Sequence, residues 1–382
     1  FNCIVLFQCL ILNKESQSSF AMVTSPTAAA IPDTMHAMII TKVTSLQKDD
    51  DNNDKEDPLT FVNSMPIPQP KLNEILLRVS VCGVCHTELD EIEGRTPPPS
   101  YPVIPGHEVI GHVVKVGEQV TLHKIGDRVG VGWIYDSSDN NYEEVEENVS
   151  TSFRATGRDA NGGYAQYMLV KESYAYPIPS VFTDEEAAPL LCAGGVGYRA
   201  LRLANVHDGQ TLGLMGFGGS AHIVLQLAKH LYPNSNIYVF ARSQDTRRFA
   251  LTLGACWAGN INDEPPKKID AIIDTTPAWT PILASLAALK PGGRLVINAI
   301  RKEDFDRHVL SSSLDYAQHL WMEKEIKSVA NVSRKDLRDF LVIAGEIPIK
   351  TTVTNYPLEE ANVALKLLKK GSVQGAYVLK IR

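Results

Sequence analysis

Residues 211–231 read TLGLMGFGGSAHIVLQLAKHL, and this stretch decides the fold. Strand-forming text from Thr211 to Met215 runs into Gly216-Phe217-Gly218-Gly219-Ser220-Ala221, and a helical pattern follows without a break. That order fits the G-x-G-x-x-G/A turn that receives a dinucleotide. Gly216 permits the tight turn, Gly218 lets a pyrophosphate approach the backbone, and the small Ala221 lets helix and strand pack closely. Gly219 and Ser220 then open a helix whose free N–H groups suit phosphate. A glycine-rich turn with no ligand is the other reading, and the placement between strand and helix argues against it.

Outward from this turn the rhythm continues. NIYVF (236–240), DTRRFALTLGA (245–255), IDAIID (269–274), PILASLAAL (281–289) and GGRLVINAI (292–300) alternate strand and helix patterns. Such alternation predicts an α/β doubly wound parallel sheet with crossover helices. Ligands of such sheets bind at strand carboxyl ends, so the backbones of Thr275, Thr276 and Asn298 to Ile300 are expected against the cofactor. Simple helix-capping turns are the alternative for the two threonines. Where an NAD site usually offers a carboxylate to the ribose, after NIYVF, this chain has Ala241-Arg242-Ser243. Arg242 and Ser243, with Arg247 nearby, suit a 2′-phosphate and favour NADP(H) over NAD(H). The other readings are a solvated Arg242 or one stacked on the adenine of NAD; Asp245, the nearest acid, comes slightly late.

Upstream, ILLRVSVCGV (75–84), EVIGHVVKVG (108–117) and GDRVGVGWI (126–134) are short strand patterns bounded by glycine or proline, which predicts a barrel-like β-rich domain. Past Trp321, IKSVANV, a helix over RKDLRDFLVIAGE, KTTVTNYP, a helix over LEEANVALKLLKKG and a final strand AYVLKI follow. The expected organisation is an extension over 1–34 outside the fold, a catalytic domain over 35–188, a nucleotide-binding domain over 189–321, and a return to the catalytic domain over 322–382. The apolar run CIVLFQCLIL (3–12) lacks a basic flank and is too short to span a bilayer. Met22 or Met35 reads as an alternative start. The charged run QKDDDNNDKEDP (47–58) reads as a solvated loop.

The formal charge of −7 leaves no basic surplus for a nucleic-acid partner. Six cysteines in 382 residues are too sparse for a disulfide scaffold, so free thiols or metal ligands in a reducing, cytoplasmic setting are expected. Three candidate ligands stand out: Cys85 in VCGVCHTEL, His107 in PGHEVIGH and Cys192 in EEAAPLLCAGG. Two thiolates and an imidazole suit zinc and leave a fourth position open, the pattern of a catalytic site. Cys82 and Cys256 read as small packed residues.

GVCHTELD, PGHEVIGHVVKVG, GDRVGVGW, NGGYAQYM, EEAAPLLCAGGVGYRAL and GFGGSAHIVLQLAKHL, in this order, resemble the medium-chain zinc-dependent alcohol dehydrogenase family over roughly residues 35–382. The resemblance implies a GroES-like β domain joined to a Rossmann domain, with the site in the cleft between them. It implies oxidation of a primary or secondary alcohol to a carbonyl compound with hydride transfer to NAD(P), in a homodimer or homotetramer paired through Rossmann edge strands near RLVINAI. By motif it places Cys85, His107 and Cys192 as zinc ligands, and Glu108 as an acid behind the zinc that can exchange with water. It sets His86 near the cofactor pyrophosphate and Thr87 at the hydroxyl that bonds the substrate oxygen.

Two departures bear on the chemistry. The loop IYDSSDNNYEEVEENVSTSFRATGRD (134–159) has no cysteine where relatives often hold a structural zinc, so one catalytic zinc and no structural zinc is expected, with the loop packed or mobile. Asp90 stands where many relatives carry a relay histidine, leaving the acid, water or the cofactor ribose as the proton path. Trp133, Tyr101, Ile300 and Trp321 are candidate pocket residues. Two rival readings stay open: a zinc-independent quinone or enoyl reductase of the same fold, and a catalytically silent structural protein.

Overall fold

Alternate residues of Asn236–Phe240 point to opposite sides of a sheet, and both sides are buried. Ile237 and Val239 join one hydrophobic cluster, Tyr238 and Phe240 another. This is why the segment reads as continuous apolar text and not as an alternation. In the computed structural model, which describes residues 30–46, 57–137, 147–347, 349–371 and 375–381, the chain divides into Phe1–Asp33 and Thr34–Arg382. The second unit is considered below. The runs expected over 1–29 and most of 47–58 lie outside the described residues.

The parallel sheet has six strands in the spatial order Trp257–Gly259, Asn236–Phe240, Thr211–Met215, Ile269–Asp274, Leu289–Ile297, Glu325–Ser328. Every neighbouring pair is parallel. Strand order reverses between Thr211–Met215 and Ile269–Asp274, the crevice where doubly wound sheets bind ligands. Helices Gly219–Leu231 and Ala193–Ala204 cover one face. Helix Thr280–Ala288 covers the other.

Two expectations are corrected here. RLVINAI lies in an interior strand, bonded on both sides, and the sheet edge is Glu325–Ser328. The sheet therefore continues past the boundary expected at residue 321. Helix Arg334–Glu346 also packs on Ala193–Ala204 through Leu337 and Phe340, and the chain rejoins the β-rich half only at Val353–Pro357.

The β-rich half is built on the eleven-residue strand Glu74–Val84. It pairs antiparallel with Val109–Val116, with Tyr167–Lys171 and with the C-terminal strand Ala376–Lys380. The registers Cys82↔Val109 and Leu379↔Cys82 clamp its carboxyl end from both sides. The cysteine-free loop is described over 134–137 and from Glu147 onward. Its Glu147 carboxylate receives Arg334 Nε at 2.7 Å and Arg334 N at 3.0 Å, and Asn148 Nδ2 donates to Ala330 O at 2.7 Å. The end of the loop is thus tied to the start of helix Arg334–Glu346 by protein groups. Among the described residues no helix is long and apolar enough to cross a membrane.

Candidate active site

Strand register assembles the site. Because Cys82 faces Val109, the residues after Cys82 lie beside those before Val109, and Gly83 N donates to Glu108 O at 2.9 Å. Gly83 is required there: a Cβ on it would lie 1.8 Å from Glu108 Oε2. Cys85 ends this run and caps helix His86–Ile92. Cys192 arrives from the other direction, at the junction of the 3-10 turn Ala188–Leu191 and helix Ala193–Ala204, where Leu190 and Leu191 anchor it in the core.

These paths bring one ligand atom each from Cys85, His107, Glu108 and Cys192 within 4.8 Å of one another. The two sulfurs are 3.8 Å apart, and Thr87 Oγ1 lies 3.6 Å from Cys85 Sγ. Their electrostatics are in conflict. The Cys192 thiol bonding to Cys85 holds Cys85 well below the ordinary thiol range and, with burial, pushes Cys192 well above it. Burial likewise raises the Glu108 carboxyl. Three groups that would be anions when deprotonated lie within 4.8 Å of one another. A bound cation removes that conflict, since metal coordination favours the deprotonated form of each ligand.

His107 gives a second, independent sign. Its Nε2 is buried without a hydrogen-bond partner, while Nδ1 meets Glu88 Oε1 at 2.6 Å. Although burial opposes it, the Glu88 carboxylate raises the proton affinity of the ring well above its ordinary value. An imidazole held by a carboxylate on one nitrogen, with the other nitrogen bare, is arranged as a metal ligand. The sulfur, nitrogen and carboxylate set fits zinc.

Glu88 was not among the residues expected from sequence. It is fully buried, and its other oxygen accepts Cys85 N at 2.8 Å, so one side chain fixes both ligand-bearing segments. A glutamate three residues after a helix-capping position is the local signal that could have shown it. Glu88→Gln keeps the shape and loses the charge. We expect a tenfold to hundredfold weaker zinc affinity in chelator competition, about the cost of losing an outer-shell partner. An unchanged affinity would remove Glu88 from the metal site.

The nucleotide loop has the expected form. Gly216 adopts φ +85, and a Cβ there would lie 2.7 Å from Thr275 Oγ1. Gly218 caps helix Gly219–Leu231, and a Cβ on it would meet nothing within 4 Å, so open space lies over the helix N-terminus. Ala221 is buried. Ser220 Oγ donates to Ala193 O at 2.9 Å and accepts Asn298 Nδ2 at 3.2 Å, which ties the loop to the segment that carries Cys192. Thr275 N donates to Met215 O at 2.9 Å, holding it beside the glycine turn. Neither Thr275 nor Thr276 caps the next helix; Asp306 does, accepting Trp279 N and Thr280 N. Arg242 and Ser243 are exposed at the end of Asn236–Phe240, and His86 is exposed at the start of its helix. Arg247 departs from expectation: its Nη1 donates to Ala241 O and Arg242 O at 2.7 and 2.8 Å, so it braces the backbone.

The pocket candidates separate. Ile300 lines a cavity of about 440 Å³ with Asp90, Arg95 and Arg301. Trp133 packs against Phe153, Tyr101 is exposed, and Trp321 lies beside Pro291 and Gly292, at the amino end of its sheet and away from the ligand-binding ends. Asp90 is paired on one oxygen: its Oδ1 receives Arg95 Nε at 2.5 Å and Arg301 Nε at 2.8 Å.

Residues 71–180 match the alcohol dehydrogenase GroES-like domain family. A probable alcohol dehydrogenase of Mycobacterium tuberculosis is 41% identical, over 82% of this chain and 91% of its own length. An alcohol dehydrogenase of Geobacillus stearothermophilus is 31% identical over 83% and 94%. Among solved structures, a cinnamyl alcohol dehydrogenase from Sorghum bicolor superposes with a TM-score of 0.75 at 27% identity, covering 91% of this chain and 97% of that one. A relative 41% identical over 82% of this chain covers both halves of the architecture, and on it the chain belongs to the medium-chain alcohol dehydrogenase family of oxidoreductases.

Proposed function

We propose that this protein is a zinc- and NADP(H)-dependent alcohol dehydrogenase acting on a primary or secondary alcohol and, in reverse, on the aldehyde or ketone. The observation that supports it most is the Cys85–His107–Glu108–Cys192 cluster, with a bare His107 Nε2 and with the Thr87 hydroxyl beside the Cys85 sulfur. Cys85, His107 and Cys192 hold the metal; Glu108, packed on Gly83, is the fourth, exchangeable donor. Bound zinc supplies Lewis acidity toward an alcohol oxygen, and bound nicotinamide supplies a hydride acceptor.

The chain's own groups do the rest. Thr87 Oγ1 orients the alcohol and takes up its proton as its own passes toward solvent. Glu88 sets the His107 ring and the Cys85 backbone. Gly216, Gly218, Gly219, Ser220 and Ala221 cradle the pyrophosphate with His86, while the backbones at Thr275, Asn298 and Ile300 line the nicotinamide side. Residues 35–188 with the C-terminal strands form the catalytic half, and the six-stranded sheet the nucleotide half. The reading includes a homodimer or homotetramer, supported by the exposed edge strand Glu325–Ser328 near exposed Tyr316 and Trp321, and a reducing cytoplasmic setting that keeps both thiols available.

The cofactor preference rests on Arg242 and Ser243. With purified protein, primary and secondary alcohols are to be tested with both nucleotides, and Arg242→Gln is expected to weaken NADPH binding about tenfold to hundredfold with NADH unchanged, the worth of a charge-assisted contact. Equal affinity of the native protein for both nucleotides would refute the preference. No oxidation of any alcohol by zinc-loaded protein would refute the function.

A further inference from the structure

We propose that Arg301 is a positioning residue: with Asp90 it forms a clasp across the cleft that holds helix His86–Ile92 in place and must open for the nicotinamide cofactor to leave. The proposal rests on the dehydrogenase reading above and goes beyond it, since it assigns a role to groups that neither bind metal nor transfer a proton.

Asp90 sits on the same short helix as Thr87, one turn further on, with its side chain 1% exposed. Arg95, five residues along the chain, already supplies a cation, and its other arm reaches Glu93 Oε2 at 2.6 Å. Glu93 is fixed in turn by Lys369 Nζ at 2.7 Å and by Leu46 N at 3.1 Å. The catalytic half therefore satisfies the charge of Asp90 by itself. Arg301 is a second guanidinium on the same oxygen, and it comes from the nucleotide half, 211 residues away.

The position of Arg301 links that contact to the cofactor loop. It follows strand Leu289–Ile297, whose carboxyl end faces the crevice. The next residue, Lys302, is buried, bonds the fully buried Asp274 and donates to Thr276 O at 2.7 Å. Thr276 and Thr275 crowd Gly216 directly. A short chain of contacts thus runs from the glycine turn through Thr276, Lys302 and Arg301 to Asp90. The cavity of about 440 Å³ lined by Asp90, Thr96, Ile300 and Arg301 shows that the pair stands at the wall of open space. Arg301 is 27% exposed, so the contact can break into water without stranding a buried cation.

The test uses full-length Arg301→Met, which keeps the length of the side chain and removes the charge. Two quantities are measured: the NADPH dissociation rate by stopped-flow fluorescence, and amide hydrogen exchange of residues 86–92 in nucleotide-free protein. Both are expected to rise about tenfold, with Arg301→Lys intermediate. Asp90→Asn should speed NADPH release to the same degree, and the double variant should go no further, because the two side chains act as one contact. Arg301→Met with native release and native exchange overturns the clasp, as does a double variant whose effects multiply. If Asp90→Asn does not fold, the Arg301→Met and Arg301→Lys pair decides alone. A native protein that binds no reduced nucleotide would remove the proposed function and the clasp together; one that binds it while Arg301→Met releases at the native rate removes the clasp only.

Discussion

Cys192→Ser is expected to lose bound zinc and about a thousandfold of alcohol oxidation, while the folded protein still binds NADPH. A serine hydroxyl is a poor zinc ligand beside a thiolate, and several kcal/mol of Lewis-acid stabilisation correspond to about that factor in rate. The glycine turn and its helix do not depend on the Cys192 sulfur, because Ser220 is tied to the backbone of Ala193. Metal analysis, steady-state rates and nucleotide titration check these outcomes together. Zinc retained at the native level with a rate within tenfold of native would show that Cys192 is not a ligand.

Thr87→Val should keep zinc and lower kcat by about a hundredfold to ten-thousandfold, the range for a lost proton-transfer group. Valine matches threonine in shape, so the buried start of helix His86–Ile92 stays packed and the change is confined to the hydroxyl. Thr87→Ser, which restores the hydroxyl, should recover most of the rate, with KM for the alcohol moving less than kcat. If Thr87→Val oxidises alcohol within fivefold of native, the proton leaves by another route. Asp90 does not offer an obvious one, given the two arginines on its carboxylate.

The nucleotide half was readable because its signals are local. Each buried strand is a continuous apolar run, and the glycine turn joins strand to helix within a few residues. The last strand of that sheet was not placed correctly. Glu325–Ser328 is exposed throughout and carries only Ile326 as a large apolar residue, so no burial pattern marks it as the edge. Val329 and Val332 pack into the core beyond it and made the strand look longer. The metal ligands were legible by residue type, since cysteine and histidine have few other uses together. Glu88 was not, because its role exists only after the Cys82↔Val109 register lays His107 over the helix. The Asp90–Arg301 contact joins two halves of the chain and leaves no spacing signal at all. Arg247 shows a related limit: a cation near the ribose end is visible in the sequence, but not that its Nη1 donates to Ala241 O and Arg242 O.

Metal content of the purified native protein, by inductively coupled plasma mass spectrometry, tests the central claim most directly. A catalytic site built on Cys85, His107, Glu108 and Cys192 predicts about one zinc per chain, absent from Cys192→Ser. A folded, nucleotide-binding protein with no zinc, even after incubation with the metal, would contradict it.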